Sequence, residues 1–554
     1  MPKAIDLLRQ GRNEELWQMC CGFINLNIDE FMDVQRRLLE EQLVLLNNCA
    51  LGEKIMRGAR PETVEEFRRL VPLTTYRDYC PELLEKREDT LPAKPSEWVH
   101  TSGKTGEYPC KWIPLTADFS RELSAVSYGV GIFSSCRERG DLSQLTNCPR
   151  VVYAVAPRPY MSGALAKMVE LQSPSRYMPP LEEAESLSFE ERIRLGFEQA
   201  LSQGFDYFFG ISLVLVAVGN RFSESSSKPA ILPLLSRPRA LLRIIRGLVK
   251  SKLAGRSMLP RDLWTIKGII SGGLDSWVYR DKIKELWGRY PLDTYTGSEG
   301  GIMATQTWDY DSMTFVPNLN FLEFIPEEEH FKWQLDHSYQ PRTLLLNELE
   351  AGKEYEIVIT NFHGGAMIRY RPGDMIRITA LRNEKLGIEL PQMVFARRAD
   401  DIIDFGVTRL TERVIWEALE NTGIPYEDWI ARKETGDKMA LHLYVELKDG
   451  NRNTADEVAD AVYRKILETD GDLAAAEIRG DYTNFIDFRV EATVLPKGTF
   501  ARYTAEKRAQ GADLAHLKPP HINPTEETFT LLVTKPEKVG AAAETPADTD
   551  KVVV

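Results

Sequence analysis

Four short stretches of this 554-residue chain carry side chains suited to phosphate and nucleoside chemistry. The first runs from Thr101 to Lys111, TSGKTGEYPCK. Gly103 and Gly106 let backbone N–H groups approach phosphate oxygens. Ser102, Lys104, Thr105 and Lys111 add hydroxyl and charge-assisted donors. The same composition also describes a polar surface turn. The stretch is not the G-x-x-x-x-G-K-[ST] loop of P-loop nucleotidases, because the opening glycine of that pattern is missing upstream of Gly103. The second stretch, YTGSEGG at Tyr295–Gly301, sets Glu299 behind a small-residue turn at the end of a strand-like run. α/β proteins bind ligands at such strand ends, and a carboxylate there suits a hard cation such as Mg²⁺; the alternative is a solvated turn residue. The third is YRPGD, Tyr370–Asp374, where the aspartate has the acceptors for both hydroxyls of a ribose and Pro-Gly equally describes a hairpin turn. The fourth, RRADDIIDFG at Arg397–Gly406, places Arg398, Asp400 and Gly406 at a change of texture, as a hinge or as a charged linker.

The elements that must position these residues follow from hydrophobic periodicity. The first ninety residues read as helical, with Asn27 or Asp29 capping NIDEFMDVQRRLLEEQLVLLNNCALGEKI as one helix, and TVEEFRRLVPLTTYRDYCPELLEK as helix, Pro break, helix. From Arg150 onward, strand-like RVVYAVAP, LWTIKGIISGG and LDTYTGSEGG alternate with helical FEERIRLGFEQALSQG and WVYRDKIKELWGRY, which predicts an α/β domain with a largely parallel sheet. ISLVLVAVG (Ile211–Gly219) has the length of a buried strand or a helix segment. MTFVPNLNFLEFIP, YEIVITN and GDMIRITAL alternate as antiparallel strands do. Beyond Arg397 come a helix (Thr411–Asn421), a strand (KMALHLYVELK), a helix (Ala455–Leu467) and a strand (DFRVEATVLP), a small α+β module. The boundaries predicted are 1–396 for a large N-terminal domain, 397–535 for a C-terminal domain and 536–554 for a disordered Ala/Pro/charge-rich tail.

The length requires more than one core. A net charge of −13 excludes a non-specific nucleic-acid binder, which needs a basic face. No apolar run reaches the roughly 20 residues of a membrane span, and the first residues lack the apolar core of a signal peptide, so a cytoplasmic location with no stable membrane insertion is expected. The seven cysteines all lie before residue 150, without zinc-ligand spacing, and read as reduced thiols. The most basic stretch, Arg237–Arg256, sets Leu241, Ile244, Ile245, Leu248 and Leu253 on one helical face; it reads as a surface helix with snorkelling cations, or as a patch for the 3′-phosphate of coenzyme A or an acidic membrane surface.

Taken together and in order, the four stretches resemble the adenylate-forming (ANL) superfamily, and within it the auxin-responsive acyl acid-amido synthetase family. The resemblance is carried by VPLTTYRDYCPEL, TSGKTGEYPCKWIPLT, YTGSEGG, NFLEFIP, YEIVITNFHGGAMIRYRPGD and PKGTF…GADLAHLKPPHI, and spans roughly residues 60 to 522. It implies a large N-terminal adenylate-forming domain of mixed sheets and flanking helices with a β-barrel-like subdomain, plus a small mobile α+β C-terminal domain.

The resemblance also implies roles. Ser102, Gly103, Lys104, Thr105, Gly106 and Lys111 would grip the β- and γ-phosphates of ATP. Gly272, Gly273 and Tyr295 would wall the adenine pocket, and Thr296, Gly297 and Ser298 would also bind the nucleotide. Glu299 would hold Mg²⁺, Asp374 the ribose hydroxyls, and Arg398 would lie near the ribose and α-phosphate. Asp400 would be the pivot of the C-terminal domain. Lys518 would be the catalytic lysine, with Lys497 and Lys507 as competitors. Phe395 reads as a core aromatic, and His363 as a structural histidine or a base. The implied reaction is formation of an acyl-adenylate from a small carboxylic acid, followed by transfer to an amine. The alternatives are transfer to coenzyme A, as in phenylacetate-type ligases, and a catalytically silent homologue. Two departures stand out: Lys104 replaces a hydroxyl residue, and the gap from Gly106 to Lys111 is longer than usual.

Overall fold

The computed structural model describes residues 2–101, 110–225, 238–272, 276–399, 402–405, 409–435, 439–469, 488–509, 519, 521–524 and 526–533. Its centre is a mixed sheet of eleven strands flanked by helices. From one edge the strands are Asn320–Pro326, Glu354–Asn361, Asp374–Ala380, Gln392–Arg398, Met313–Phe315, Gly301–Thr305, Leu292–Gly297, Gly268–Gly272, Tyr207–Ile211, Arg150–Ala154 and Arg176–Met178. The strands up to Leu292–Gly297 pair antiparallel. From Leu292–Gly297 onward every pairing is parallel. Among the described strands of this sheet, Leu292–Gly297 is therefore the one with a parallel neighbour on one side and an antiparallel neighbour on the other, and the chain turns at Glu299 just past its end.

The parallel half has the near-continuous apolar strands of a sheet covered on both faces, such as Val151–Ala154. The helices Ala117–Phe133, Met161–Gln172 and Phe189–Gln203 pack around it. ISLVLVAVG resolves into the last residue of a strand and the helix Ser212–Ser225, whose first residue bonds through Oγ to Ser271 Oγ on the neighbouring strand at 2.6 Å. Nearer the N-terminus, Asn27 caps Ile28–Leu46 in a reciprocal capping box with Glu30. The single helix expected there is two, Ile28–Leu46 and Ala50–Ile55, with Asn47 and Asn48 between them. After Val64–Leu70 the expected second helix is only the 3₁₀ turn Tyr76–Tyr79; Pro81 forces the preceding Cys80 into an extended conformation.

The C-terminal residues build a three-stranded sheet, Tyr426–Thr435, Met439–Leu447 and Arg489–Val494, with the helices Glu412–Asn421 and Ala455–Thr469 against it. One apolar cluster runs from Phe208, Trp264 and Trp287 beneath the parallel half to Leu410, Trp429 and Leu441 in this module. The basic stretch forms the helix Pro238–Leu253, but not with the single apolar face expected. Ala240, Ile244 and Gly247 are buried, whereas Leu242, Ile245, Val249 and Leu253 face outward. Among the described residues, no helix is long and apolar enough to cross a membrane.

Candidate functional site

The stretch with the two glycines connects two paired strands. Pro95–His100 pairs antiparallel with Trp112–Thr116, and the pairing continues to Thr101 N–H and the Lys111 carbonyl at 3.1 Å. Ser102, Gly103, Lys104, Thr105 and Gly106 lie outside the described residues. Thr101 and Lys111, the two stems, line a cavity of about 1070 Å³.

Thr296, Gly297, Ser298, Glu299, Asp374 and Arg398 line the same cavity. Lys111 Nζ donates to the Tyr370 hydroxyl at 3.1 Å, and that hydroxyl donates to Glu299 Oε1 at 3.2 Å. Lys111 Nζ itself stands 3.8 Å from the same carboxylate oxygen. Beside this group, the Tyr295 phenol donates to Asp374 Oδ2 at 2.7 Å, and Arg398 Nη1 donates to Asp374 Oδ1 at 2.6 Å. Burial, reinforced by the adjacent Asp374 and Glu299 carboxylates, pushes both phenols, Tyr295 and Tyr370, well above their ordinary pKa. Both therefore remain protonated donors across the physiological range.

Backbone register explains the convergence. Asp374 opens one strand and Arg398 ends its neighbour, and the two are directly paired across the ladder. Tyr295 reaches them from the strand Leu292–Gly297. The turn after that strand needs Gly301, whose φ is +65° and where an added Cβ would stand 3.1 Å from Leu123 Cδ1. Two buried asparagines fix the turn: Asn361 Nδ2 donates to the Glu299 carbonyl at 2.9 Å and Asn320 Nδ2 to the Gly300 carbonyl at 2.7 Å.

The segment Arg369–Asp374 behaves as a strap with alternating sides. Tyr370 and Asp374 reach the cavity group, with left-handed backbone at Arg369 (φ +45°) and Gly373 (φ +80°) turning the segment between them. Arg369 and Arg371 point the other way, into buried acids. Arg369 bonds both oxygens of Glu323, at 2.9 and 2.8 Å. Arg371 bonds both oxygens of Glu356, at 2.8 and 2.7 Å, beneath Trp333 and beside His330. Bidentate pairing of this kind fixes orientation as well as position.

Other sequence-derived candidates are distributed as follows. Gly272 closes the strand Gly268–Gly272, two residues beyond cavity-lining Ile270. Phe395, read as core, packs on the apolar core and also lines the cavity, its ring 6.4 Å from that of Tyr295. His363 Nε2 bonds the Asn318 carbonyl at 2.7 Å and is not among the residues lining the cavity, which leaves it a structural role. Lys497 is exposed and paired with Asp449. Lys507 lies on the helix Thr499–Ala509. Gly273, Asp400, Gly406 and Lys518 lie outside the described residues. Sequence reasoning missed Tyr370, Asn320 and Asn361 as parts of the site. For Tyr370 the signal was available, since it opens YRPGD; for the asparagines, buried strand positions gave none.

A carboxylate at a switch strand, a second one held by an arginine and a phenol across paired strands, and a hairpin stem that adds a lysine meet around one cavity on an α/β scaffold. The mixed sheet and its flanking helices have the fold of adenylate-forming enzymes: AtGH3.15 acyl acid amido synthetase, solved with 2,4-DB, aligns over 93% of this chain and 95% of its own, with a TM-score of 0.52 and 17% identity, a likeness of fold. Residues 22–153 match the N-terminal domain of the GH3 family and residues 313–398 match its central domain. The resemblance noted in the sequence is thereby borne out. Among curated relatives, the jasmonoyl-L-amino acid synthetase JAR4 of Nicotiana attenuata is 32% identical over 161 residues, 28% of this chain and 26% of the relative. The jasmonoyl-L-amino acid synthetase GH3.5 of Oryza sativa subsp. japonica is 24% identical over 292 residues, 49% of this chain and 47% of the relative. These alignments span about a quarter to a half of the relatives' own length.

Proposed function

We propose that this protein is an ATP-dependent ligase that activates a small carboxylic acid as its acyl-adenylate and passes the acyl group to an amine. The observation that carries the reading is the meeting of Lys111, Glu299 and Asp374, from three distant stretches, around one cavity. The matches to GH3-family domains support it, and the names of the relatives favour an amino acid as the acceptor.

The chain's own groups suit each part of the reaction. Asp374, held by Tyr295 and Arg398 at the edge of the cavity, is assigned to accept from the ribose hydroxyls, for which a carboxylate has the right acceptor chemistry. Lys111 brings positive charge to the phosphate side, and Ser102, Gly103, Lys104, Thr105 and Gly106, which lie outside the described residues, are assigned to the same grip. Arg398 is the charged donor near the α-phosphate. Neutralising developing charge with pre-placed donors, rather than covalent catalysis, is the protein's contribution. The cavity continues past these groups between the helices Ala117–Phe133 and Met161–Gln172, where Val130, Leu165, Val169 and Phe209 give it apolar walls. The acid is assigned to that end, with its carboxylate toward the polar end.

The donor set at Glu299 fits Mg²⁺, which takes one or two carboxylates and completes its shell with phosphate and water oxygens. Glu299 would hold it, and when bound it would screen the phosphate charge. After adenylation, the C-terminal domain (397–535) would turn about Asp400 and exchange Lys518, the lysine assigned to the first half-reaction, for the acceptor site. We assign the reaction to the cytoplasm, where thiols such as the buried Cys20 and Cys21 stay reduced.

The test is carboxylate-dependent exchange of labelled pyrophosphate into ATP with a panel of acids, on the wild type and Glu299→Ala. Exchange in the wild type with a large loss in the variant supports the reading; equal behaviour rejects the assigned site. Product analysis with amino acids and with coenzyme A then identifies the acceptor, and a thioester as the sole product would overturn amide formation.

A further inference from the structure

The helix Pro238–Leu253 carries two opposed apolar faces. Ala240, Ile244, Gly247 and Ser251 pack it onto the protein, Gly247 so closely that an added Cβ would stand 2.6 Å from Leu263 Cδ2. Arg243 pins the same side through the carbonyls of Leu201 and Leu263, at 3.0 and 3.1 Å. The outer side carries Leu242, Ile245, Val249 and Leu253, exposed by 58%, 47%, 53% and 84%. At 100° per residue these four fall within one narrow arc. Arg239, Arg246 and Lys250 flank the arc on one side and Lys252 on the other. Among the described residues, none of these four cations enters an ion pair, and all four are exposed. Other large exposed apolar residues, such as Leu171, Leu381 and Trp416, are scattered; here they form a stripe.

The charge pattern selects the occupant. Residues 225–261 hold nine Lys or Arg and no Asp or Glu, in a chain of net charge −13. An apolar stripe bordered by cations is the form of a helix that lies in the plane of an anionic bilayer, with leucine and isoleucine among the acyl chains and the cations at headgroup phosphates. Two copies meeting stripe to stripe would bring their cations together, which disfavours self-association. The opposed, docked face shows that this helix is already part of the fold, so no folding step is required on binding.

We infer that Leu242, Ile245, Val249 and Leu253, with Arg239, Arg246, Lys250 and Lys252, form a peripheral docking surface for an anionic membrane. The inference stands apart from the ligase reading, since none of these residues lines the cavity.

The experiment is vesicle co-sedimentation of the full chain at roughly 0.1 M salt, where surface charge is only partly screened. The vesicles are phosphatidylcholine alone or phosphatidylcholine with about one third phosphatidylserine. The wild type is expected to sediment with the anionic vesicles and not with the neutral ones. Arg246→Gln with Lys250→Gln is expected to weaken partitioning roughly thirtyfold, at about a factor of five per cation. The triple variant Leu242→Ser, Ile245→Ser, Val249→Ser is expected to abolish it. Because these side chains are exposed, both variants should keep the wild-type melting curve. Failure of the wild type to bind anionic vesicles overturns the inference. So does full binding by the triple variant, or a lipid-free dimer in ultracentrifugation that the triple variant dissolves.

Discussion

The phenol of Tyr295 meets the carboxylate of Asp374 at 2.7 Å, across 79 residues of sequence and three intervening strands of one sheet. Arg398 closes on the second oxygen of the same carboxylate at 2.6 Å. Asp374 is thus held from two sides before any ligand arrives, with its side chain only 13% exposed. An acceptor fixed in this way loses little freedom when hydroxyls bind to it, the advantage of pre-organisation.

Asp374→Ala should therefore damage nucleotide binding far more than Tyr295→Phe. The alanine variant removes the acceptors proposed for the ribose and takes the carboxylate from Arg398; hydrogen bonds to charged groups contribute about 1.5–3 kcal/mol each, so the nucleotide KM should rise roughly a hundredfold or more. Tyr295→Phe removes one donor while Arg398 still holds the carboxylate, and the rise should be about tenfold. Pyrophosphate exchange across a range of ATP concentrations separates the two; equal effects would mean that Asp374 only supports the fold.

The strap Arg369–Asp374 predicts a second asymmetry, in stability. Glu356 is buried and bonded through both oxygens to Arg371, with His330 on one of them at 2.7 Å. Glu356→Ala leaves the Arg371 guanidinium buried without its partner, which costs about 3–5 kcal/mol. The unfolding midpoint should fall by several degrees. Glu354→Ala is the control. Its partners Arg377, at 2.6 Å, and Arg397, at 3.5 Å, both reach solvent, so its loss should change stability by less than about 1 kcal/mol.

These arginines show what was legible in the sequence and what was not. YRPGD was readable only in its order with the other three stretches, because Pro-Gly by itself describes a hairpin turn equally well. Glu323 and Glu356 were not, because a glutamate in an apolar strand reads the same whether it meets water or a buried guanidinium. The strand–helix alternation from Arg150 to Leu292 was legible through its periodicity. The joining of that parallel half to the antiparallel strands, through Leu292–Gly297, was not, since pairing between distant segments leaves no local pattern. ISLVLVAVG was ambiguous for a related reason: a run that is apolar on every side has no period, and the Ser212–Ser271 contact marks where strand yields to helix.

His521 makes the C-terminal module sensitive to alkaline pH. Its Nδ1 lies 2.5 Å from Glu412 Oε1 on a helix and its Nε2 2.9 Å from Asp428 Oδ1 on a strand, while its ring stacks on Trp429. Burial acts to lower its pKa, but the bonds and charges of Asp428 and Glu412 outweigh that and raise it to about 9. A raised histidine pKa stabilises the fold fully below its unfolded value, near 6.5, and the contribution fades as pH rises through about 9. The loss should be about 3 kcal/mol between pH 6 and pH 10. His521→Gln should flatten this slope in urea titrations followed by the fluorescence of Trp416 and Trp429; a wild-type curve with no slope above pH 7 would reject the ion pairs.

Asn361 and Asn320 carry the most specific expectation for the metal. They hold the backbone carbonyls of Glu299 and Gly300, at 2.9 and 2.7 Å, and bond each other at 2.8 Å. Neither touches a ligand directly in the proposed reaction; they set where the Glu299 carboxylate stands. Asn361→Ala removes the donor to Glu299 and strands buried acceptors, a loss of about 1–3 kcal/mol in local order. Exchange activity in the variant should need roughly tenfold more Mg²⁺ for half-maximal rate, while the apparent KM for the acid, bound at the other end of the cavity, stays near the wild-type value. Glu299→Ala should lose activity at every Mg²⁺ concentration, because no other carboxylate has been assigned to the ion. A shift in the acid's KM with an unchanged Mg²⁺ requirement would place Glu299 in acid binding instead, and would move the phosphate end of the cavity elsewhere.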